Sequence, residues 1–321
     1  MQIFISRPIP HSAITTLQSA GHAVTVSPHE RPLSPEEFLA ATAAADGLIT
    51  MLTDKVDAPF LNARPNIKAI ANYAVGHNNI DVPACTAHHV GVSNCPDILT
   101  DATAELAFTL LLAAARRAGE SERHLRAKNW NGWGPLQFVG VPVYGQTLGI
   151  IGAGRIGARM AEMSRGFNMK LLYHNRKPSP ALNDLGAALA SLEFLLKESD
   201  FISIHVPLTP ETRHLISTPQ FSLMKPTAVL INTARGPVVD EAALAEALRT
   251  RKIFAAGLDV YEHEPKIHQA LFDLENAVLL PHIGSATTTA RANLANLAAQ
   301  NLLAMLAGNR PPTPLNPELW Q

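Results

Sequence analysis

Residues 145 to 157 read Gly-Gln-Thr-Leu-Gly-Ile-Ile-Gly-Ala-Gly-Arg-Ile-Gly, an apolar run that passes directly into a glycine-rich turn and then a helical pattern. Residues 148 to 151 have the continuous apolar character of a buried strand, and residues 156 to 164 continue with helical periodicity. Gly152 permits a tight turn, Gly154 lets the backbone approach a pyrophosphate, and Gly157 lets helix and strand pack closely. An anion would sit on the free N–H groups at the positive end of the helix. Glycines at this spacing also serve ordinary turns; the strand before them and the helix after them make a dinucleotide site the expected reading.

Outward from this stretch the same rhythm continues. Downstream, strand-like segments at 170–173, 201–205, 228–232, 255–259 and 278–280 bring the total to six, enough for one complete dinucleotide-binding sheet. Upstream, strands at 3–6, 23–26, 47–50, 68–72 and 91–93 alternate with helices at about 11–20 and after Ser34. Thr100 or Asp101 is expected to cap a long helix whose apolar stripe is Ala104, Ala107, Leu111, Ala114 and Ala115. The chain closes with a helix over about 288–307 and a tail punctuated by Pro311, Pro312 and Pro314. The expected fold is α/β, with two doubly wound parallel-sheet domains. Residues 1–97 begin a substrate-binding domain, 98–287 form the dinucleotide domain, and 288–321 return to complete the first. The last helix could instead finish the nucleotide domain, and the pattern leaves both arrangements open.

A chain of 321 residues exceeds one compact core. Its 26 Lys and Arg against 27 Asp and Glu leave a formal charge of -1, with no basic field to draw nucleic acid or anionic lipid. Cys85 and Cys95 are the only cysteines, without histidines at zinc-finger spacing, so neither a disulfide framework nor a metal is expected. No basic leader precedes the first strand, and a cytoplasmic location is the expectation. The most apolar run, 106–115, stops at Arg116 and Arg117, far short of the roughly 20 residues that span a bilayer.

In doubly wound sheets ligands bind beyond the carboxyl ends of the strands. Three ionisable residues follow successive strands: Arg235 in Asn232-Thr233-Ala234-Arg235-Gly236, Glu264 in Tyr261-Glu262-His263-Glu264-Pro265, and His282 in Pro281-His282-Ile283-Gly284-Ser285. Together they suffice for carbonyl reduction beside a nicotinamide. Arginine's planar fork would bind a substrate carboxylate and polarise the adjacent carbonyl. Histidine would donate the proton and accept it back in oxidation. Glutamate would hydrogen-bond the far imidazole nitrogen, orient the ring and favour its charged form.

With these residues in place, the chain resembles the D-isomer-specific 2-hydroxyacid dehydrogenases along nearly its whole length. The resemblance implies a Rossmann-type coenzyme domain with a flavodoxin-like substrate domain, and puts the catalytic Arg, Glu and His of that family on Arg235, Glu264 and His282. Residues 72–81, Asn-Tyr-Ala-Val-Gly-His-Asn-Asn-Ile-Asp, resemble its carboxylate loop, implying that the Val75 and Gly76 N–H groups, flanked by Ala74, grip the acid. Thr103, Val206, Thr233, Asp259 and Gly284 match positions that line the nicotinamide site in such enzymes. The implied coenzyme set also takes in Arg155, Ile156, His205, Pro207, Thr212 and Ala234, together with Arg235 and His282. Within the family the chain is most similar to glyoxylate and hydroxypyruvate reductases, notably at residues 52–57 and 281–287. Leu52, Tyr73 and Trp130 or Trp133 are candidate pocket residues, with simple packing an equal reading. The family also implies a homodimer built across the nucleotide domains, with the 130–138 loop contributing to the neighbour's cleft.

The strand after the glycine turn ends Tyr173-His174 and continues Asn175-Arg176-Lys177, where NAD enzymes place an acid on the ribose 2′-hydroxyl. No carboxylate stands there, and Arg176, helped by Lys177 and Asn175, could bind a 2′-phosphate. NADPH is therefore the expected coenzyme, with NAD possible and a solvated basic turn as the alternative. The expected reaction is reduction of a small 2-oxoacid, glyoxylate or hydroxypyruvate, in the cleft between the two domains. The rivals are a lactate-, phosphoglycerate- or formate-type dehydrogenase and, from another class, a nucleotide-sensing corepressor. Formate dehydrogenases carry Gln where Glu264 stands.

Overall fold

A computed structural model describes residues 1–321, which divide into two compact units, residues 1–99 with 285–321 and residues 100–284. The changes of unit fall at 99/100 and 284/285, two or three residues from the limits expected from the sequence. In chain order the first unit opens with β1 (Gln2–Ile5), α1 (His11–Ser19), β2 (Ala23–Val26), α2 (Pro35–Ala41), β3 (Gly47–Thr50), α3 (Ala58–Ala63), β4 (Ala69–Asn72), α4 (Val82–Ala87) and β5 (Gly91–Ser93). The second contains α5 (Thr100–Ala115), α6 (Ala118–Arg126), β6 (Thr147–Ile151), α7 (Arg155–Ser164), β7 (Lys170–His174), α8 (Pro180–Asn183), β8 (Ala188–Leu189) and α9 (Leu192–Glu198). It continues through β9 (Phe201–Ile204), α10 (Thr218–Leu223), β10 (Val229–Asn232), α11 (Glu241–Arg249), β11 (Ala255–Leu258), α12 (Gln269–Phe272) and β12 (Ala277–Leu279). Finally α13 (Thr288–Leu306) returns to the first unit.

The first sheet has the order β2-β1-β3-β4-β5, all parallel. Side chains alternate across a strand, so both faces of this apolar sheet need cover. Ile3 and Ile5 of β1 pack in the cluster that holds Leu294, Ala298 and Leu302 of α13, while Phe4 between them packs with Phe38 and Phe60 on the other face. Cys85 and Cys95 are buried and unpaired, and burial pushes both thiols up to about 12. They serve as packing.

The second sheet has seven parallel strands in the order β12-β11-β10-β9-β6-β7-β8. The chain runs outward from β6 to β8, then restarts at β9 on the other side of β6, creating the switch point where doubly wound sheets bind nucleotides. The seventh strand, β8, escapes the sequence pattern. Its two residues are exposed at the sheet edge and pair with Leu172 and Tyr173, without an apolar run to announce them. A second correction concerns α5. Thr100 is its first helical residue, so neither Thr100 nor Asp101 precedes the helix as a cap. Asp101 lies in the first turn, where an acid favours the helix dipole, and pairs with Arg159 at 2.7 Å. No helix is long and apolar enough to cross a membrane.

Candidate active site

The turn that leaves β6 is shaped by close backbone packing. Gly152 has φ +102°, and a Cβ there would lie 2.6 Å from the His205 carbonyl carbon. Gly157 is pressed equally tightly against the Gly152 carbonyl oxygen. Gly154 differs. It is the N-cap of α7 with no side chain capping the helix, and a Cβ built on it would meet nothing within 4 Å. Open space therefore faces the helix N-terminus, with Arg155 and Ile156 as the first helical residues. The Thr233 hydroxyl, on a residue only 8% exposed, has no hydrogen-bond partner. Open space at a helix N-terminus that no cap side chain fills, and an orphaned buried hydroxyl, fit a dinucleotide.

The neighbouring turns carry the remaining coenzyme candidates. After β7, the Asn175 side chain donates to the Lys177 carbonyl at 2.9 Å, while Arg176 and Lys177 are exposed. After β9, burial pushes the His205 imidazole down to about 4, so it is neutral near pH 7, and its Nε2 lies 2.8 Å from the Ser203 hydroxyl. Val206 is partly buried, and Thr212 donates to the Pro207 carbonyl at 2.7 Å.

Three consecutive strands deliver the ionisable side chains. Beyond β10, the Asn232 side chain accepts from the Ala234 N–H at 3.0 Å and donates to the Arg235 carbonyl at 3.1 Å, closing the turn. Arg235 Nη1 donates to the Ala234 carbonyl at 2.7 Å. Burial lowers the pKa of this guanidinium, partly offset by the Glu264 charge. Beyond β11, the Tyr261 N–H donates to Glu264 Oε1 at 3.0 Å. The other oxygen, Oε2, meets His282 Nδ1 at 2.8 Å, and both side chains are about a third exposed, at 35% and 36%. Burial alone would raise the pKa of Glu264. The hydrogen bond and charge of His282, the Tyr261 N–H and Arg235 outweigh it and hold the carboxyl below its usual range.

His282, beyond β12, has φ +55°, a left-handed backbone that a non-glycine residue adopts only where its surroundings enforce it. Those surroundings are visible. Asp259 accepts from the Ile283 and Gly284 N–H groups, both at 2.8 Å, and the Tyr261 hydroxyl donates to the Leu280 carbonyl at 2.8 Å. Burial raises the pKa of Asp259 despite these bonds. Thr103 donates to the Gly284 carbonyl at 3.3 Å. The sequence pattern points to Arg235, Glu264 and His282 but not to the supporting roles of Asn232 and Tyr261, which depend on contacts between loops.

In the first unit, the segment after β4 is held from below. Asn72 donates to the Gly76 carbonyl at 2.8 Å, Asn94 donates to the Val75 carbonyl at 2.7 Å, and the Cys95 N–H donates to the Ala74 carbonyl at 2.8 Å. Asn79 donates to the Met51 and Asp54 carbonyls, both at 3.0 Å, tying this segment to the turn that bears the partly buried Leu52. The Val75 and Gly76 N–H groups donate to no acceptor of the protein. Tyr73 is buried, and its hydroxyl donates to the Arg291 carbonyl at 2.7 Å, so its contacts are those of a packing residue. Trp130 and Trp133 are exposed on the second unit.

A parallel sheet with a dinucleotide turn at its switch point, and an Arg, a Glu and a His beyond its later strands, define a nicotinamide-dependent oxidoreductase acting on the CH–OH group of 2-hydroxyacids. The chain belongs to the D-isomer specific 2-hydroxyacid dehydrogenase family: residues 108–284 match its NAD binding domain. It is 47% identical over 323 aligned positions to a glyoxylate reductase of Thermococcus kodakarensis, covering 99% of this chain and 97% of that protein. The crystal structure of the TT0316 protein from Thermus thermophilus superposes with a TM-score of 0.93 at 42% identity, covering 98% of this chain and all of the other. An NADPH-dependent glyoxylate/hydroxypyruvate reductase from Sinorhizobium meliloti, solved with NADP and malonate, gives a TM-score of 0.84 at 30% identity, covering 98% and 96%.

Proposed function

We propose that this protein reduces glyoxylate, and hydroxypyruvate as a second substrate, with NADPH preferred over NADH. The observation that carries the reaction class is the 2.8 Å contact of His282 Nδ1 with Glu264. A carboxylate only accepts, so Nδ1 bears a proton and Nε2 is the nitrogen left to exchange one with substrate. The reduced nicotinamide, when bound, supplies the hydride. Arg235 binds the substrate carboxylate and polarises the carbonyl. His282 gives its proton to the carbonyl oxygen, and Glu264 keeps the ring oriented throughout. Gly152, Gly154 and the N-terminus of α7 would hold the nucleotide's phosphates, and the Thr233 hydroxyl would be a partner for its nicotinamide end. The glyoxylate assignment is supported by the reductases that the chain resembles. The NADPH assignment is supported by the exposed Arg176 and Lys177 and by the NADP-bound relative.

Steady-state kinetics with glyoxylate, hydroxypyruvate, pyruvate and phosphohydroxypyruvate, each with NADPH and NADH, test both assignments. Glyoxylate is expected to give the highest kcat/KM. A bond from arginine to a phosphate contributes about 1.5–3 kcal/mol, so Arg176→Ala should lower kcat/KM for NADPH by about 10- to 100-fold and spare NADH. Higher efficiency with pyruvate or the phosphorylated acid would refute the substrate assignment. An unchanged NADPH-to-NADH ratio in Arg176→Ala would refute the coenzyme assignment, and coenzyme binding without turnover would favour a sensor.

A further inference from the structure

The loop after β9 is tied to the two segments that carry Arg235 and Glu264. Within it, the Thr212 hydroxyl donates to the Pro207 carbonyl at 2.7 Å and accepts the Thr209 N–H at 2.8 Å, so residues 207–212 hold together as one piece. Two residues on, His214 has φ +51°. Its N–H donates to the Pro237 carbonyl at 2.8 Å, and its Nε2 donates to Glu262 Oε1 at 2.6 Å. Pro237 lies two residues after Arg235, and Glu262 lies two before Glu264. A single residue thus joins the segments that follow β9, β10 and β11.

The acceptor is firmly seated. The Glu262 side chain is 11% exposed and takes a second donor, Arg213 Nη2, at 3.3 Å. The Glu262 N–H is held by the Glu241 carboxylate, whose other oxygen takes the His268 N–H at 3.0 Å. We propose that His214, through Glu262, is a positioning residue that links the seating of coenzyme on residues 205–212 to the setting of Arg235 and Glu264. The proposal rests on the coenzyme and catalytic roles assigned above. A short bond to a carboxylate is stronger than one between neutral groups, so deleting the imidazole leaves the segment bearing Glu264 with only the longer Arg213 contact to the β9 loop.

The test uses the full chain with His214→Ala, His214→Gln, Glu262→Ala, Glu262→Gln and the double alanine variant. NADPH affinity is read by fluorescence titration without oxoacid, alongside kcat, KM for glyoxylate and amide exchange in the coenzyme-free protein. Each alanine variant should weaken NADPH binding and lower kcat by about tenfold, with KM for glyoxylate moving less than about twofold. The double variant should be no worse than either single one, because both remove the same link. His214→Gln, whose amide can still donate, should recover most of the loss, and exchange at 260–266 should quicken in both alanine variants. Additive losses, or alanine variants with unchanged affinity and kcat, overturn the proposal. If His214→Ala does not fold, Glu262→Ala decides, since unchanged exchange at 260–266 there is equally fatal. A wild-type protein that binds NADPH but reduces no 2-oxoacid counts against the proposed function instead, and the affinity and exchange measurements still judge the linkage.

Discussion

Glu264 uses both of its carboxylate oxygens: Oε1 takes the Tyr261 N–H at 3.0 Å and Oε2 takes His282 Nδ1 at 2.8 Å. The first bond fixes the carboxylate and the second fixes the ring, so the orientation of His282 is inherited from the backbone beyond β11. Glu264→Gln keeps the shape but loses the charge that favours an imidazolium. Its reductase activity, which needs the protonated ring, should therefore fall off at lower pH than in wild type, measured as kcat/KM for glyoxylate between about pH 5 and 9. An unmoved alkaline limb would remove the electrostatic role. The acid side has the opposite sign. Because folding holds the Glu264 carboxyl below its usual range, its contribution to stability is full above the unfolded carboxyl pKa of about 4.3 and is lost as pH falls through the folded value. Glu264→Gln should flatten the fall of Tm with acidification in that window. The three ionisable residues were legible in the sequence because each directly follows a buried apolar run. Asn232 and Tyr261 were not, since their hydrogen bonds depend on how successive loops meet.

At the scale of elements, the chemistry depends on how closely the segment after β10 approaches the segment after β11. Gly236 marks the contact. A Cβ there would fall 1.8 Å from the Tyr261 carbonyl carbon and 1.9 Å from its oxygen, both backbone atoms that cannot swing aside. Arg235 and Glu264 flank this contact on either side, so separating the backbones separates the charges. Gly236→Ala should cost about 3 kcal/mol of stability, at the upper end for overpacking, and lower kcat by about 100-fold. Thermal denaturation and glyoxylate turnover measure the two losses, and a variant that retains both Tm and kcat would show that the contact is slack. Nothing in the Arg-Gly dipeptide announces this demand, which arises from the backbone at Tyr261, beyond the next strand. The strands themselves were readable within about a residue, because fully buried parallel strands are continuous apolar runs. The same logic explains why exposed β8 was missed, and why polar α6 left no apolar stripe to follow.

At the scale of the molecule, one chain makes two sheets and then doubles back. Leu294, Ala298 and Leu302 of α13 complete the core of the first unit, and the tail beyond it is stitched to β5 through Asn316, which accepts the Val92 N–H and donates to the Val90 carbonyl, both at 2.9 Å. The length and apolar pattern of α13 were visible in the sequence, but its destination was not, because a helix pattern does not say which sheet it covers. The second unit leaves a different surface unmet. Between α6 and β6, an irregular segment exposes Trp133 at 84% and Leu136 at 86%, with Trp130, Val139 and Tyr144 also outward. Large exposed aromatic and aliphatic side chains gathered in one segment suit an interaction surface. We propose that a second copy of the chain covers this segment, giving a homodimer. Sedimentation equilibrium of the wild type should return about twice the chain mass, since a stable isologous interface buries this surface on both copies. Trp133→Glu combined with Leu136→Glu places two like charges in each half of the buried contact and should shift the equilibrium to monomer, with the far-UV spectrum unchanged. A wild type that sediments as a monomer, or a double variant that stays dimeric, would assign the exposed segment to some other contact.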